Sequence, residues 1–330
     1  MRAYLLSAFH NFALLWLRES AQEDPFGLHC LVDSPEQADI ILFVENHVGD
    51  DQYRLGVRHH PLYRRFPEKC FLYHDADNAV ALLRGIYPSI RKRDYLIDRC
   101  RSAGYIARIA SNESIFYNPT IRTRKWLYSF LGEANSAVRV ALFAGAHPEG
   151  LVRDTTGKRM WQMGPGPTRD QFTTEYAKAI SDSQFVLCPA GVGPSTYRLF
   201  ETMEMGRVPV ILSDEWVPPP GPKWDDFSIR VPEQLVGQVS SILKTFSDHH
   251  EEMGRQARLA WEQWFAKPVC FHRLIELCVD IQATPRRPFS TLRAWGTILR
   301  SPHLRNFLRP YYRFTKRTLG SVIGPLQNSS

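Results

Sequence analysis

The sequence has 330 residues, 44% of them hydrophobic and 23% charged, which excludes a lone small module and excludes disorder over most of the length. The formal charge of +7 is unevenly spread: nine of the 41 lysines and arginines, and no acid, fall in residues 281–330, leaving 32 basic against 34 acidic residues before them. A near-neutral body argues against nucleic acid as a partner and turns attention to the tail. Glycine and proline follow no period, and no solenoid repeat is present. No apolar run approaches the ~18–20 residues that span a bilayer. Ala3–Leu17, broken by Ser7, His10 and Asn11, reads as a buried first strand and helix, not a signal peptide. The six cysteines form no CxxC pair and no zinc spacing, and are expected to be buried thiols in a reducing, cytoplasmic compartment.

In chain order, Ile40–Val44 (IILFV) is a continuous apolar run, the pattern of a strand buried on both faces of a parallel sheet. Cys70–Tyr73 is a second strand, followed by a helical pattern over Asn78–Gly85, and Val138–Ala144 (VRVALFA) reads as a third strand. Phe185–Cys188 and Val208–Leu212 are strands bracketing a Gly/Pro loop, Pro189–Pro194, and a helix, Ser195–Met205, closed by Gly206. Loops are marked at Met163–Pro167 and Val217–Pro222, and helices at Val236–Phe246 and Glu251–Phe265. Strand, loop and helix in repetition predict an α/β fold of two lobes, 1–135 and 136–280, with a basic amphipathic tail over 281–330.

The chemistry concentrates after Phe185. A buried strand delivers the chain to Ala190–Gly193, where missing side chains leave backbone N–H groups free to face a ligand. Ser195 is expected to cap the helix, whose N-terminus is an anion site. Arg198 and Glu201 stand three residues apart and project to one side. A phosphate at the helix start and a sugar hydroxyl pair at the glutamate describe a nucleotide site. The plainer reading of the spacing is a Gly-rich turn with a surface Arg–Glu pair. A dinucleotide-binding motif fits poorly, because Thr196 stands where its third glycine belongs and the acid lies on the helix.

The ordered run Pro189, Ser195, Arg198, Glu201, Gly206, Pro209, Val210, Ile211, Asp214, Pro218, Trp224, Phe227, Ser228 and Glu233 resembles the C-terminal part of the exostosin family, inverting glycosyltransferases of family 47. Weaker likeness lies upstream, at Asp33–Asp39 and around Ser129–Gly132 and Arg139. The resemblance implies a GT-B fold, two Rossmann-like lobes facing across a cleft, with a nucleotide-sugar held by the second. On that footing Glu201 would bind the ribose hydroxyls and Gly193, Ser195 and Arg198 would face the diphosphate. Arg153 and Lys158 would neutralise the leaving phosphates, the planar arginine fork suiting them. The donor is expected to be UDP-linked, and the acceptor a glycan or a lipid-linked glycan of surface polysaccharide synthesis. The rival is a nucleotide- or glycan-binding protein without catalysis.

Asp75-Ala76-Asp77 forms a DxD triplet, elsewhere a divalent-metal motif. Its place in the first lobe argues for capping instead, so neither metal nor cofactor is expected. Inverting transfer needs a base at the cleft end of a first-lobe strand. Glu45 and then Asp75 are the candidates, with His47 and Asp77 on the acceptor side. His59 and His60 read as loop histidines. In the tail, Leu292, Trp295 and Leu299 share a helical face among arginines, which suits peripheral attachment to the inner, anionic membrane face. Packing back across the first lobe is the alternative.

Overall fold

A computed structural model of the chain describes residues 1–9, 12–45, 55–106, 112–119, 124–300 and 304. Six strands form a first sheet: β1 (Arg2–Leu6), β2 (Cys30–Leu31), β3 (Ile40–Glu45), β4 (Cys70–His74), β5 (Gly85–Ile86) and β6 (Cys100–Arg101), in the order β2-β1-β3-β4-β5-β6. Five more form a second: β7 (Trp126–Gly132), β8 (Gly150–Asp154), β9 (Ser183–Pro189), β10 (Val208–Leu212) and β11 (Ile229–Arg230), in the order β11-β10-β9-β7-β8. Every pairing within both sheets is parallel. The described α-helices are α1 (Phe12–Gln22), α2 (Leu55–His59), α3 (Pro61–Arg65), α4 (Ala137–Ala144), α5 (Pro167–Ser181), α6 (Tyr197–Glu204), α7 (Val239–Lys244), α8 (His250–Trp264), α9 (Lys267–Ala283) and α10 (Ser290–Ile298).

The side-chain alternation of a strand explains the layering. Ile40, Leu42 and Val44 face α1 and α9, packing with Leu17, Phe271, Leu274 and Ile275. Ile41 and Phe43 point the other way, toward Val57 and Tyr87. In the second sheet Phe185 and Leu187 pack on Val138 and Leu142 of α4 and on Leu243 of α7. Cys188 and Ile211 pack on Leu199 and Met203 of α6 and Ala257 of α8. Helices therefore cover both faces of both sheets, and α9 returns from the second lobe to pack on the first. This is the two-lobed α/β arrangement of the GT-B class.

Several elements depart from the sequence reading. Val138–Ala144 is not a strand but most of α4: the Ser136 hydroxyl accepts from Arg139 N at 3.4 Å, and Val138 and Leu142 are buried while Val140 is exposed. That burial has the helical period, which the β-branched valines disguise. The third strand is instead β7, whose pairing with β8 and β9 starts the second sheet at Trp126, upstream of the division expected at 135/136. Asn78–Gly85 forms no helix. Its carbonyls are taken by side chains, with the Arg99 guanidinium on Ala81 and Leu82 and the Tyr87 hydroxyl on Leu83. Gly85 enters β5 so tightly that a Cβ there would lie 1.9 Å from Leu72 O. Cys30 is exposed; the other five cysteines are buried.

The basic tail is continuous with the fold through Arg300. Ile281 still belongs to α9, and Ala294 and Ile298 of α10 pack on Val80, Leu82 and Leu96 of the first lobe. Arg287 N donates to Asp98, Arg99 to Thr291, and Arg300 pairs with Asp94. Trp295 sits in that contact, beneath Arg58, so it does not share an outward face with Leu292 and Leu299, which are exposed. Residues 305–330, which hold five of the nine tail cations, lie outside the described residues.

Candidate functional site

Loops leaving the carboxyl ends of β4 and β5 meet loops leaving β9 and β10, the end of a parallel sheet where α/β proteins bind ligands. Arg91 donates to Asn78 Oδ1 at 3.3 Å and crosses to Val192 O at 2.8 Å. Lys92 N reaches Glu215 O at 2.8 Å beside an antiparallel bridge between Arg91 and Trp216. Ser195 N points at Ser89 Oγ, 3.4 Å away. A Cβ on Gly193 would stand 2.2 Å from Ser89 Oγ and 2.8 Å from Asp77 O, so only glycine lets the two lobes approach this closely. The loop is pinned from behind, by Ser136 Oγ on Ala190 O at 2.7 Å and Ser213 Oγ on Pro194 O at 2.8 Å.

The helix after this loop begins two residues later than expected. Thr196, not Ser195, is the N-cap of α6, and it makes no side-chain capping bond. Ser195 is buried just before it, beside the Tyr105 hydroxyl. The helix closes on Gly206 at φ +65°, as expected. Arg198 and Glu201 are both buried, against the surface-pair reading. Tyr176 of α5 joins them: its hydroxyl donates to Glu201 Oε2 at 2.6 Å, and its ring lies 5.4 Å from the Arg198 guanidinium. Burial holds the Tyr176 phenol far above its usual range, so it stays a donor. Arg198 also lies 4.5 Å from the Phe130 ring and donates to Leu131 O.

A residue outside the sequence-derived site belongs here. Arg139, from α4, lies 5.4 Å from the same Phe130 ring and donates to Pro189 O at 3.2 Å and Glu133 O at 3.4 Å. A Cβ on Gly191 would stand 2.9 Å from its Nη2. Arg139 and Arg198 are each only 8% exposed, and among the described residues neither is ion-paired. Burial first, and the neighbouring Arg198 second, bring the Arg139 pKa down to about 10. Two guanidiniums kept out of water, with acids nearby but no direct ion pair among the described residues, form an anion-seeking site, since burying charge is costly unless it is closely paired. Sequence spacing hid Arg139 because α4 reads as a strand. Tyr176 and Tyr105 carry no local signal at all, being brought in by tertiary packing.

The remaining expected residues are placed differently. Arg153 is on the edge strand β8, opposite Leu131 in register, with its side chain turned outward to Glu175 at 3.3 Å. Lys158 is exposed in the following turn, and its neighbour Arg159 is the cation that reaches the end of β7, pairing with Glu133 at 2.7 Å. Neither Arg153 nor Lys158 makes a described contact with Arg198 or Glu201. Glu45, fully buried at the end of β3, accepts from Ser7 Oγ at 3.0 Å and Ala8 N at 2.6 Å. Asp75 is buried and Asp77 exposed where β4 ends against Gly193. His47 lies outside the described residues. His60 caps α3 through Nδ1, with its pKa lowered by burial, and His59 ends α2.

A two-lobed parallel α/β protein with a buried Arg–Arg–Glu group at the inter-lobe ends of its strands is the class of molecule that fold and site define. The chain is exostosin-like: residues 110–246 match the Exostosin GT47 domain. The likeness at Asp33–Asp39 falls outside that match. Over 219 residues the chain is 24% identical to Exostosin-1 of Drosophila melanogaster, covering 60% of this chain and 28% of that protein. Over 108 residues it is 41% identical to a probable glucuronoxylan glucuronosyltransferase of Arabidopsis thaliana, covering 30% of this chain and 24% of that one. The chain thus spans about a quarter of the length of the curated relatives it matches. Among solved structures, a glycosyltransferase from Rickettsia africae superposes at a TM-score of 0.41 and 8% identity, covering 86% of this chain and 99% of that one.

Proposed function

We propose that the chain is an inverting glycosyltransferase that moves a sugar from a UDP-linked donor to a glycan or lipid-linked acceptor in surface polysaccharide synthesis. The observation that carries this reading is the pair of buried guanidiniums, Arg139 and Arg198, neither in a direct ion pair among the described residues, beside the Glu201 carboxylate. Glu201 accepts two ribose hydroxyls, the Tyr176 hydroxyl holding it in place. The arginines neutralise the diphosphate as it departs, with no obligatory divalent metal. The acceptor hydroxyl attacks the anomeric carbon as the bond to the diphosphate oxygen breaks on the opposite face, and its proton passes to a first-lobe carboxylate. Asp75 is that base in our reading, since it is buried directly after β4, in the turn whose Asp77 abuts the donor loop. Glu45 instead anchors the Ser7–Ala8 turn.

Attachment to an anionic bilayer belongs to the same proposal. Phe289, Leu292 and Leu299 stand 74%, 68% and 73% exposed around Arg293, at the head of the basic segment. Among the described residues no helix is long and apolar enough to cross a membrane. The test of function is a screen of the purified chain against nucleotide sugars, following both thermal shift and release of nucleoside diphosphate. Selective binding with turnover supports the enzyme. Binding without any transfer or hydrolysis favours a non-catalytic binding protein.

A further inference from the structure

Where α9 meets the first lobe, His29 precedes the edge strand β2, while His272 and Glu276 stand one turn apart on α9 and so share a helix face. One ligand atom from each of the three comes within 4.8 Å of the others. His29 Nε2 already touches Glu276 Oε1 at 2.7 Å, and the His29 side chain is only 5% exposed. His272 is likewise 5% exposed, with Phe26 stacked on it at 4.1 Å and His29 at 4.8 Å. Two buried polar atoms here have no hydrogen-bond partner: His272 Nδ1 and Asp24 Oδ2. They belong to the same neighbourhood, for Phe26, stacked on His272, donates its N–H to Asp24 Oδ1 at 3.0 Å. A buried polar atom usually has a partner, and an ion is one of the explanations for one that lacks it.

We propose that His29, His272 and Glu276 bind a divalent transition-metal cation of the zinc class. Imidazole and carboxylate together suit such a borderline ion, and a hard cation such as magnesium prefers oxygen alone. A tetrahedral zinc at about 2.0–2.1 Å from each ligand brings ligand atoms to about 3.3 Å from one another. The stacked imidazoles have to tilt until one nitrogen from each converges on the ion. The His272–Glu276 pair lies on the helix that returns from the second lobe, and His29 lies at the sheet edge it lands on. The ion would therefore pin α9 to the first lobe, as a brace and not as a reactant.

The test uses the full chain, stripped with chelator, desalted, and titrated with zinc chloride alone. Bound metal is counted by mass spectrometry after gel filtration, and thermal unfolding is followed by circular dichroism. The expected result is about one equivalent of zinc and a Tm rise of about 5 °C at saturation. Cobalt in place of zinc should give the visible spectrum of a tetrahedral site. His29→Gln and Glu276→Gln, changes at a loop and on an exposed carboxylate that leave the fold intact, should lose both the retained metal and the Tm rise. Cys30→Ser should lose neither, although that exposed thiol is the next residue. No retained zinc in the wild-type chain overturns the proposal. So does equal retention in His29→Gln, or loss of the metal in Cys30→Ser.

Discussion

Replacing Arg139 by methionine separates a residue kept for binding from one kept for folding. Burial holds its pKa down at about 10, well below the usual guanidinium range, so the folded protein carries a penalty of about 3 kcal/mol for holding that charge. The sign is that of a base whose folded pKa is depressed. The penalty is full at pH 7, where both states are protonated, and is relieved only as pH rises past about 10 toward the ordinary guanidinium range. Methionine removes the penalty and keeps the contact with Phe130. It also strips Pro189 O and Glu133 O of their donor, at about 1–3 kcal/mol for a buried acceptor. The two effects nearly offset, so denaturant unfolding should move by less than about 2 kcal/mol. Nucleotide-sugar affinity, read by calorimetry, should fall about 100-fold, the loss expected when a buried charge partner of a phosphate is deleted. A variant that binds donor as tightly as the parent, or that loses about 4 kcal/mol of stability, would refute the reasoning.

Four further outcomes are expected. Glu201→Gln should weaken donor binding about 100-fold while Tyr176→Phe weakens it about 10-fold, since the phenol only positions the carboxylate; equal losses in calorimetry would reverse that order. Asp75→Asn should lower kcat about a thousandfold with donor KM little changed, whereas Glu45→Gln should lower Tm first because one of the two oxygens that accept from Ser7 and Ala8 becomes a donor; the opposite pattern in steady-state rates and melting would move the base to Glu45. Initial rates should not depend on added magnesium or manganese, and a strict requirement would sink the two-arginine account of the leaving group. Changing Phe289, Leu292 and Leu299 together to serine should cut sedimentation with anionic liposomes about tenfold and leave Tm unchanged; undiminished binding would move attachment elsewhere.

The legible part of the fold is the part that local chemistry decides. β3, β4, β9 and β10 are short apolar runs buried on both faces, and such runs have few other uses in an α/β chain. Arg198 and Glu201 are legible because a helix fixes where residues three apart point. α4 is misread because two valines favour a strand while Ser136 and the buried Val138–Leu142 pair favour a helix, and capping prevails. Asn78–Gly85 has helical composition, but long-range bonds from Arg99 and Tyr87 claim its carbonyls first. Arg139, Tyr176 and the His29–His272–Glu276 group come together only when the strands take their order, and no spacing along the chain announces them.

The contact at Gly193 has a mechanical side. There is no room for one extra carbon between that residue and Ser89 or Asp77. On the proposed function, a sugar lodged along the same line would have to prise the halves apart, against the Ser195 N–Ser89 Oγ contact at 3.4 Å and the Arg91–Val192 and Lys92–Glu215 bonds at 2.8 Å. Loading and gaping are then a single event, and the angle between the halves becomes a gauge of whether the jaws are full.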